Sequence, residues 1–143
     1  MIEAYLCQIE ELLSISPAVR DVEIVRRSVR DTDFEKALNY RYRVMLTDGS
    51  FVEMTERGLE VHGTLEVTKY RHHWQDGNGV PIKRWDNAPH YSAIETFPHH
   101  LHDGAEDRVV SHPAITGLEA LRRILDEVEA RARTGGEEDL LPP

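Results

Sequence analysis

The sequence predicts an α+β fold: a five-stranded antiparallel meander with an N-terminal and a C-terminal helix, in the order α-β-β-β-β-β-α. Three observations predict it. Apolar residues at Ile2, Tyr5, Leu6, Ile9, Leu12 and Leu13 follow the three- and four-residue spacing of an amphipathic helix, as do Leu118, Leu121, Leu125 and Val128 near the other end. Between them the period falls to two, most plainly in KALNYRYRVML (Lys36 to Leu46). Asp-Gly pairs at Asp48-Gly49 and Asp76-Gly77 supply the positive φ angles of tight hairpins. At 143 residues the chain fits one domain, here residues 1–134, with a core of ordinary size.

The first helix runs from Ile2 to Ile15, and Ser16-Pro17 stops it. Val19 to Val29 has β-branched residues without helical period and reads as a first strand. Arg30 to Glu35 is a charged turn. In the second strand, Lys36 to Leu46, one face carries Leu38, Tyr40, Tyr42, Val44 and Leu46, and the other Asn39, Arg41 and Arg43. Phe51 to Glu56 is the third strand, with Gly58 to Gly63 a turn or short extension. Leu65 to Trp74 and Val80 to Trp85 form the central hairpin.

Asp86 to Pro113 is then a long connection rich in Pro and His, and connections of that length are usually functional or without fixed structure. Thr116-Gly117-Leu118-Glu119 is a capping box, in which a hydroxyl and a carboxylate satisfy two open backbone amides. The helix it opens is expected to reach about Arg133 and end at Gly135-Gly136, leaving 135–143 as a disordered tail.

Composition narrows the functional classes. Hydrophobic residues make up 40% and charged residues 30%, the balance of a soluble globular protein. No apolar run is long enough to span a membrane, and the acidic, amphipathic start is unlike a signal peptide, so a cytoplasmic location is expected. Cys7 has no cysteine to pair with and is expected to be a buried thiol on the first helix. A net charge of −9 argues against a broadly basic nucleic-acid-binding surface. Within 69–103, however, Lys69, Arg71, Lys83 and Arg84 balance Asp76, Asp86, Glu95 and Asp103, so the excess acid lies elsewhere.

The stretch from Tyr70 to Asp103 also holds both tryptophans and six of the eight histidines. Histidine changes charge nearest neutrality, so its concentration points to proton transfer, metal binding or anion recognition. If the turn at 76–79 is a two- or four-residue loop, Tyr70, His72, Trp74, Lys83 and Trp85 share one face of the hairpin. Arg71, His73, Ile82, Arg84 and Asp86 then share the other: a polar set able to bind an anion, transfer a proton and orient an imidazole. Downstream, His90 follows a proline, and His100 and His102 fall on one side of an extended segment with His99 opposite.

Two chemistries follow from these residues. Metal-free acid–base catalysis on a phosphodiester would use His73 and His102 as proton carriers, Arg71 and Arg84 on the phosphate, and Asp86 to orient a histidine. Trp74 and Trp85 could stack on unpaired bases, although a place in the core explains them equally well. Alternatively His99, His100 and His102 could assemble a zinc site, but His-Leu-His-Asp at 100–103 only superficially resembles the HxHxDH of metallo-β-lactamase-type hydrolases. HExxH, paired CxxC, P-loop, Rossmann and Gly-x-Ser-x-Gly signatures are absent.

YRHHWQD (Tyr70 to Asp76), IKRWDNAPHY (Ile82 to Tyr91) and TFPHHLHD (Thr96 to Asp103) together resemble the TumE family of toxins from type II toxin–antitoxin systems. The family pattern has an aromatic where His72 stands and a second histidine where Tyr91 stands. The resemblance therefore favours His73, His90, His99, His100 and His102 as catalytic candidates, with Asn87 of the RWDNAPH segment among those for substrate binding. It implies a cytoplasmic toxin neutralised by a cognate antitoxin. Many toxins of such systems cut RNA, so an endoribonuclease without cofactor is the expectation. A zinc-dependent hydrolase and a non-catalytic binding module are the alternatives, and a homodimer is left open.

Overall fold

The computed structural model describes the backbone of residues 1–140 and the side chains of residues 1–134. Helix α1 (Ile2–Ile15) is followed by strands β1 (Val19–Asp31), β2 (Lys36–Leu46), β3 (Phe51–Val61), β4 (Thr64–Gln75), β5 (Pro81–Asp86), β6 (His100–Asp103) and β7 (Val109–Ser111), and by helix α2 (Gly117–Leu140). All seven strands form one antiparallel sheet in chain order, β1 to β7. The α+β class and the flanking helices match the sequence expectation; the strand number does not.

The two additional strands come from the stretch expected to be a long connection. β5 would otherwise expose an unpaired edge, and β6 satisfies it through Lys83↔Asp103, Arg84↔His102, Trp85↔Leu101 and Asp86↔His100. β7 then pairs with β6. Strands of four and three residues leave too little alternation to be recognised in sequence. The other boundaries move less: β1 continues to Asp31, and β3 continues to Val61 before a turn at His62-Gly63. α2 passes through Gly135-Gly136 to Leu140, and residues 141–143 of the expected tail lie outside the described residues.

Alternation gives the sheet two unlike faces. Leu38, Tyr40, Tyr42, Val44 and Leu46 of β2 are buried, while Asn39, Arg41 and Arg43 between them are half-buried. On the buried face lie Ile2, Leu6, Ile9 and Leu13 of α1 and Leu118, Leu121, Leu125 and Val128 of α2, joined by Ala120 and Ile124. Cys7, contrary to expectation, is exposed, because it falls between the core-facing positions Leu6 and Ile9 on the outer side of α1. Among the described residues no helix is long and apolar enough to cross a membrane.

A buried carboxylate ties helices to sheet. Alternation on β3 turns Glu56 into the core, where the hydroxyls of Tyr5 (α1) and Tyr40 (β2) both donate to its Oε1. The first turn of α2 closes over the group, with the Gly117 amide contributing a hydrogen bond. Burial raises the Glu56 carboxyl above its ordinary value, and the tyrosines and the amide offset part of that rise. Thr116 caps α2 by accepting from the Glu119 amide at 3.1 Å. A Cβ on Gly117 would collide with the Tyr40 hydroxyl and the Glu56 carboxylate, so only glycine permits this approach.

Gly117→Ala is accordingly expected to destabilise the fold by about 2 kcal/mol, the scale of core overpacking. Urea denaturation would show it as a lower midpoint at unchanged slope. A midpoint equal to the parent's would contradict the tight packing at this helix start.

Candidate functional site

The β4–β5 register sets Arg71 opposite Asp86, His72 opposite Trp85, His73 opposite Arg84 and Trp74 opposite Lys83. Residues opposite one another project from the same face. The polar set and the aromatic set therefore separate as expected, but not through a two- or four-residue loop: Gln75 pairs with Pro81 across an odd-numbered turn, and a bulge next to Trp74 restores the register. β6 extends both rows, since His102 lies opposite Arg84 and His100 opposite Asp86. His100 and His102 of the expected connection thus join the polar face as cross-strand neighbours of the hairpin.

Asp86, His100 and His102 are all buried, and one ligand-type atom from each lies within 4.8 Å of the others. His100 Nε2 is 2.9 Å from Asp86 Oδ1, and its Nδ1 donates to the Pro98 carbonyl at 2.9 Å. Both ring nitrogens of His100 are thus engaged, and the ring is held on a carboxylate. His102 differs. Its Nδ1 donates to the Glu106 carbonyl at 2.7 Å, whereas its Nε2 accepts from Arg84 Nη2 at 3.0 Å. Because a guanidinium can only donate, His102 meets it with the Nε2 lone pair. The ring centroids are 4.9 Å apart, so a proton donor and a proton acceptor sit side by side.

Arg84 holds the cluster in place. Its Nε donates to Asp86 Oδ2 at 3.1 Å, and its two Nη atoms engage the Glu106 carboxylate. Burial alone would raise the Glu106 carboxyl, but Arg84 holds it below the ordinary value. Over this floor is a cavity of about 160 Å³, walled by Lys69 and Arg71 on one side and by Ala88, His90 and Tyr91 on the other. Tyr91 stands edge-on to His100, with centroids 5.0 Å apart. Arg71 is half exposed, with its nearest carboxylate, Glu53, at 3.9 Å, and so remains available to a ligand.

The remaining candidates divide between the site and the scaffold. His73 is on the polar face, but Arg84 stands between it and His102, so these two do not form a contacting pair. Its Nε2 meets Gln75 Oε1 at 3.0 Å, and burial, with Arg71 and Arg84 adding to it, lowers its pKa. His90 is exposed at the cavity mouth. His99 turns to the opposite side, where its Nδ1 is 2.9 Å from the Tyr70 hydroxyl, so the set His99, His100 and His102 is not assembled. Asp86 occupies the third position instead.

Trp74 and Trp85 are buried in the core and present no stacking surface, because packing large aromatic rings there removes much apolar area from water. Trp74 Nε1 donates to Ser50 Oγ at 3.0 Å. Asn87 stitches the chain to β4, accepting from the Tyr70 amide and donating to the Thr68 carbonyl, and is likewise committed to the scaffold. Three site residues escaped the sequence reading. Lys69 and Tyr91 lie beside or within the family-like segments, but Glu106 sits on the turn between two unforeseen strands and carried no signal.

His72 is fully buried, stacked on Tyr70 with centroids 5.5 Å apart, and neither ring nitrogen has a partner among the described residues. Burial lowers its pKa from 6.5 to about 3. The unfolded chain therefore binds this proton below pH 6.5 while the folded chain does not, and His72 erodes stability as pH falls from 6.5 towards 3. His72→Phe is expected to raise stability at neutral pH by about 1 kcal/mol by removing unpaired buried polar atoms. It should also flatten the loss of stability between pH 6.5 and 3. Denaturation midpoints across that range measure both effects, and an unchanged acid slope would count against the buried neutral imidazole.

A family model described as Toxin TumE matches residues 9–132, spanning the sheet, the Asp86–His100–His102 cluster and most of α2. No curated protein and no solved structure matches the chain. The match includes all three segments that resemble the family, and it implies a toxin-like role with an antitoxin as partner. The chain belongs to the TumE toxin family.

Proposed function

We propose that this toxin is a cytoplasmic, RNA-directed endoribonuclease that works by metal-independent acid–base chemistry at Asp86, His100 and His102. The observation that carries the reading is the pairing of His100, held on Asp86, with His102, whose Nε2 meets Arg84, on the floor of a small cationic cavity. Cleavage of RNA by its own 2′-hydroxyl needs such a pair. The His102 Nε2 lone pair takes the 2′-hydroxyl proton as the 2′-oxygen bonds to phosphorus. The bond from phosphorus to the 5′-oxygen breaks, and the leaving oxygen takes the proton of His100 Nε2, which Asp86 Oδ1 holds in the free protein. Asp86 orients His100, while Arg71 and Lys69 neutralise the phosphate.

Arg84 contacts the His102 lone pair in the free protein, and a phosphate that draws the guanidinium away would release it. This assignment replaces His73 with His100 as the partner of His102. Tyr91, edge-on to His100 and partly exposed, offers the aromatic surface that the buried tryptophans cannot. Homodimerisation finds little support at the outer edge of β1. That strand carries Arg20, Arg26, Arg27 and Arg30 and two irregularities of register, features that disfavour edge-to-edge pairing.

One observation favours a second reading. Asp86, His100 and His102 bring their ligand-type atoms within 4.8 Å, close enough to hold a metal ion. The guanidinium of Arg84 on His102 Nε2 opposes it, since that cation stands where a metal would bind.

Expression without antitoxin should arrest growth and cleave cellular RNA. His102→Ala and Asp86→Asn are each expected to lower cleavage about 100-fold or more. Variants that fold and arrest growth as strongly as the parent would refute the assignment. Elemental analysis of the purified protein separates the two readings: stoichiometric zinc, with activity lost to a chelator and restored by the metal, would establish the metal-dependent hydrolase instead.

A further inference from the structure

The polar face does not end at the pocket. One row of side chains crosses the sheet in register as Arg26, Arg41, Thr55, Arg71, Asp86 and His100. A second, two residues along each strand, reads Ser28, Asn39, Arg57 and Lys69. With strands spaced at about 4.8 Å, the first row extends for roughly 24 Å from the β1 edge to His100. Arg26, Arg57 and Lys69 make no ion pair among the described residues. Arg41, Arg43 and Arg71 surround the carboxylate of Glu53, and Arg43 also lies 3.9 Å from Glu23, so two acids fix three cations without cancelling their charge. A groove of about 180 Å³ runs along these rows between Arg26 and Lys69, and Lys69 also walls the pocket, so the two depressions adjoin.

In a chain of net charge −9, this concentration of cations on the uncovered face requires the acid to lie elsewhere. α1, for example, carries Glu3, Glu10 and Glu11 and no Lys or Arg. We propose that the β1–β4 band binds the phosphodiester backbone of single-stranded RNA and leads it into the Asp86–His100–His102 pocket. The inference rests on the ribonuclease reading of that pocket. Several unpaired cations along a band that runs into the pocket suit a ligand that is long, polyanionic and continuous with the reacting group. The band itself presents no exposed aromatic ring, so its contacts are with phosphates and read little sequence.

The test combines Arg26→Gln and Arg57→Gln, two exposed residues whose replacement removes no ion pair. Binding is measured in a His102→Ala background with a fluorescent single-stranded RNA of about a dozen nucleotides over a salt series. Removing two phosphate contacts is expected to reduce the log–log salt slope by about 1.4. Affinity at low salt is expected to fall about 10-fold, as for a few lost phosphate contacts. Cleavage of a dinucleotide, which reaches only the pocket, should match the parent with His102 intact.

An unchanged slope and affinity, with dinucleotide cleavage retained, would overturn the band and leave the pocket assignment standing. A parent that neither binds nor cuts RNA of any length would overturn both. Loss of antitoxin binding in the double variant, with RNA affinity retained, would reassign the band to the antitoxin and overturn the proposal.

Discussion

The site depends on the register of three neighbouring strands. Arg84 and Asp86 stand two apart on β5, and β6 sets His102 and His100 directly across from them. A slip of one residue between β5 and β6 would turn both histidines into the core and bring Leu101 to the polar face. What fixes the register is the opposite face. Trp85 and Leu101 are paired and buried there, so a slip would expose apolar surface and bury imidazoles together. The polar arrangement and the hydrophobic arrangement are two consequences of one alternation.

Covering one face only is what leaves the other free to work. α1 and α2 both pack on the aromatic side, and the Tyr5–Glu56–Tyr40 cluster holds them there through a carboxylate that burial keeps above its usual pKa. Trp74, Trp85 and His72 are buried on that side. Stability and chemistry are divided between faces, which lets the polar face carry unpaired arginines without weakening the core.

Electrostatics on that face are arranged around shared carboxylates. Asp86 serves His100 and Arg84, and Glu53 serves Arg41, Arg43 and Arg71. Each acid positions more than one cation, so the surroundings stay positive while the side chains keep defined directions. Glu106 is the exception: an exposed carboxylate on the β6–β7 turn that engages Arg84 from the solvent side.

The sequence by itself determined the helices, the first five strands, the two faces of the central hairpin and the importance of the stretch from Tyr70 to Asp103. These follow from periodicity and turn chemistry, which are local. It also supplied the motifs that carry the family resemblance, and the family match agrees with them. It did not reveal β6 and β7, whose three or four residues become strands only because β5 offers an edge to pair with. It placed His99 opposite His100 and His102, but it did not exchange His73 for His100 beside His102, since which histidines meet across strands depends on register. Arg26, Arg41 and Arg57 lie far from that stretch in the chain, and only the lateral stacking of β1 to β4 lines them up with the site. Hydrogen bonding between strands connects residues distant in sequence, and that connection the tertiary structure alone decided.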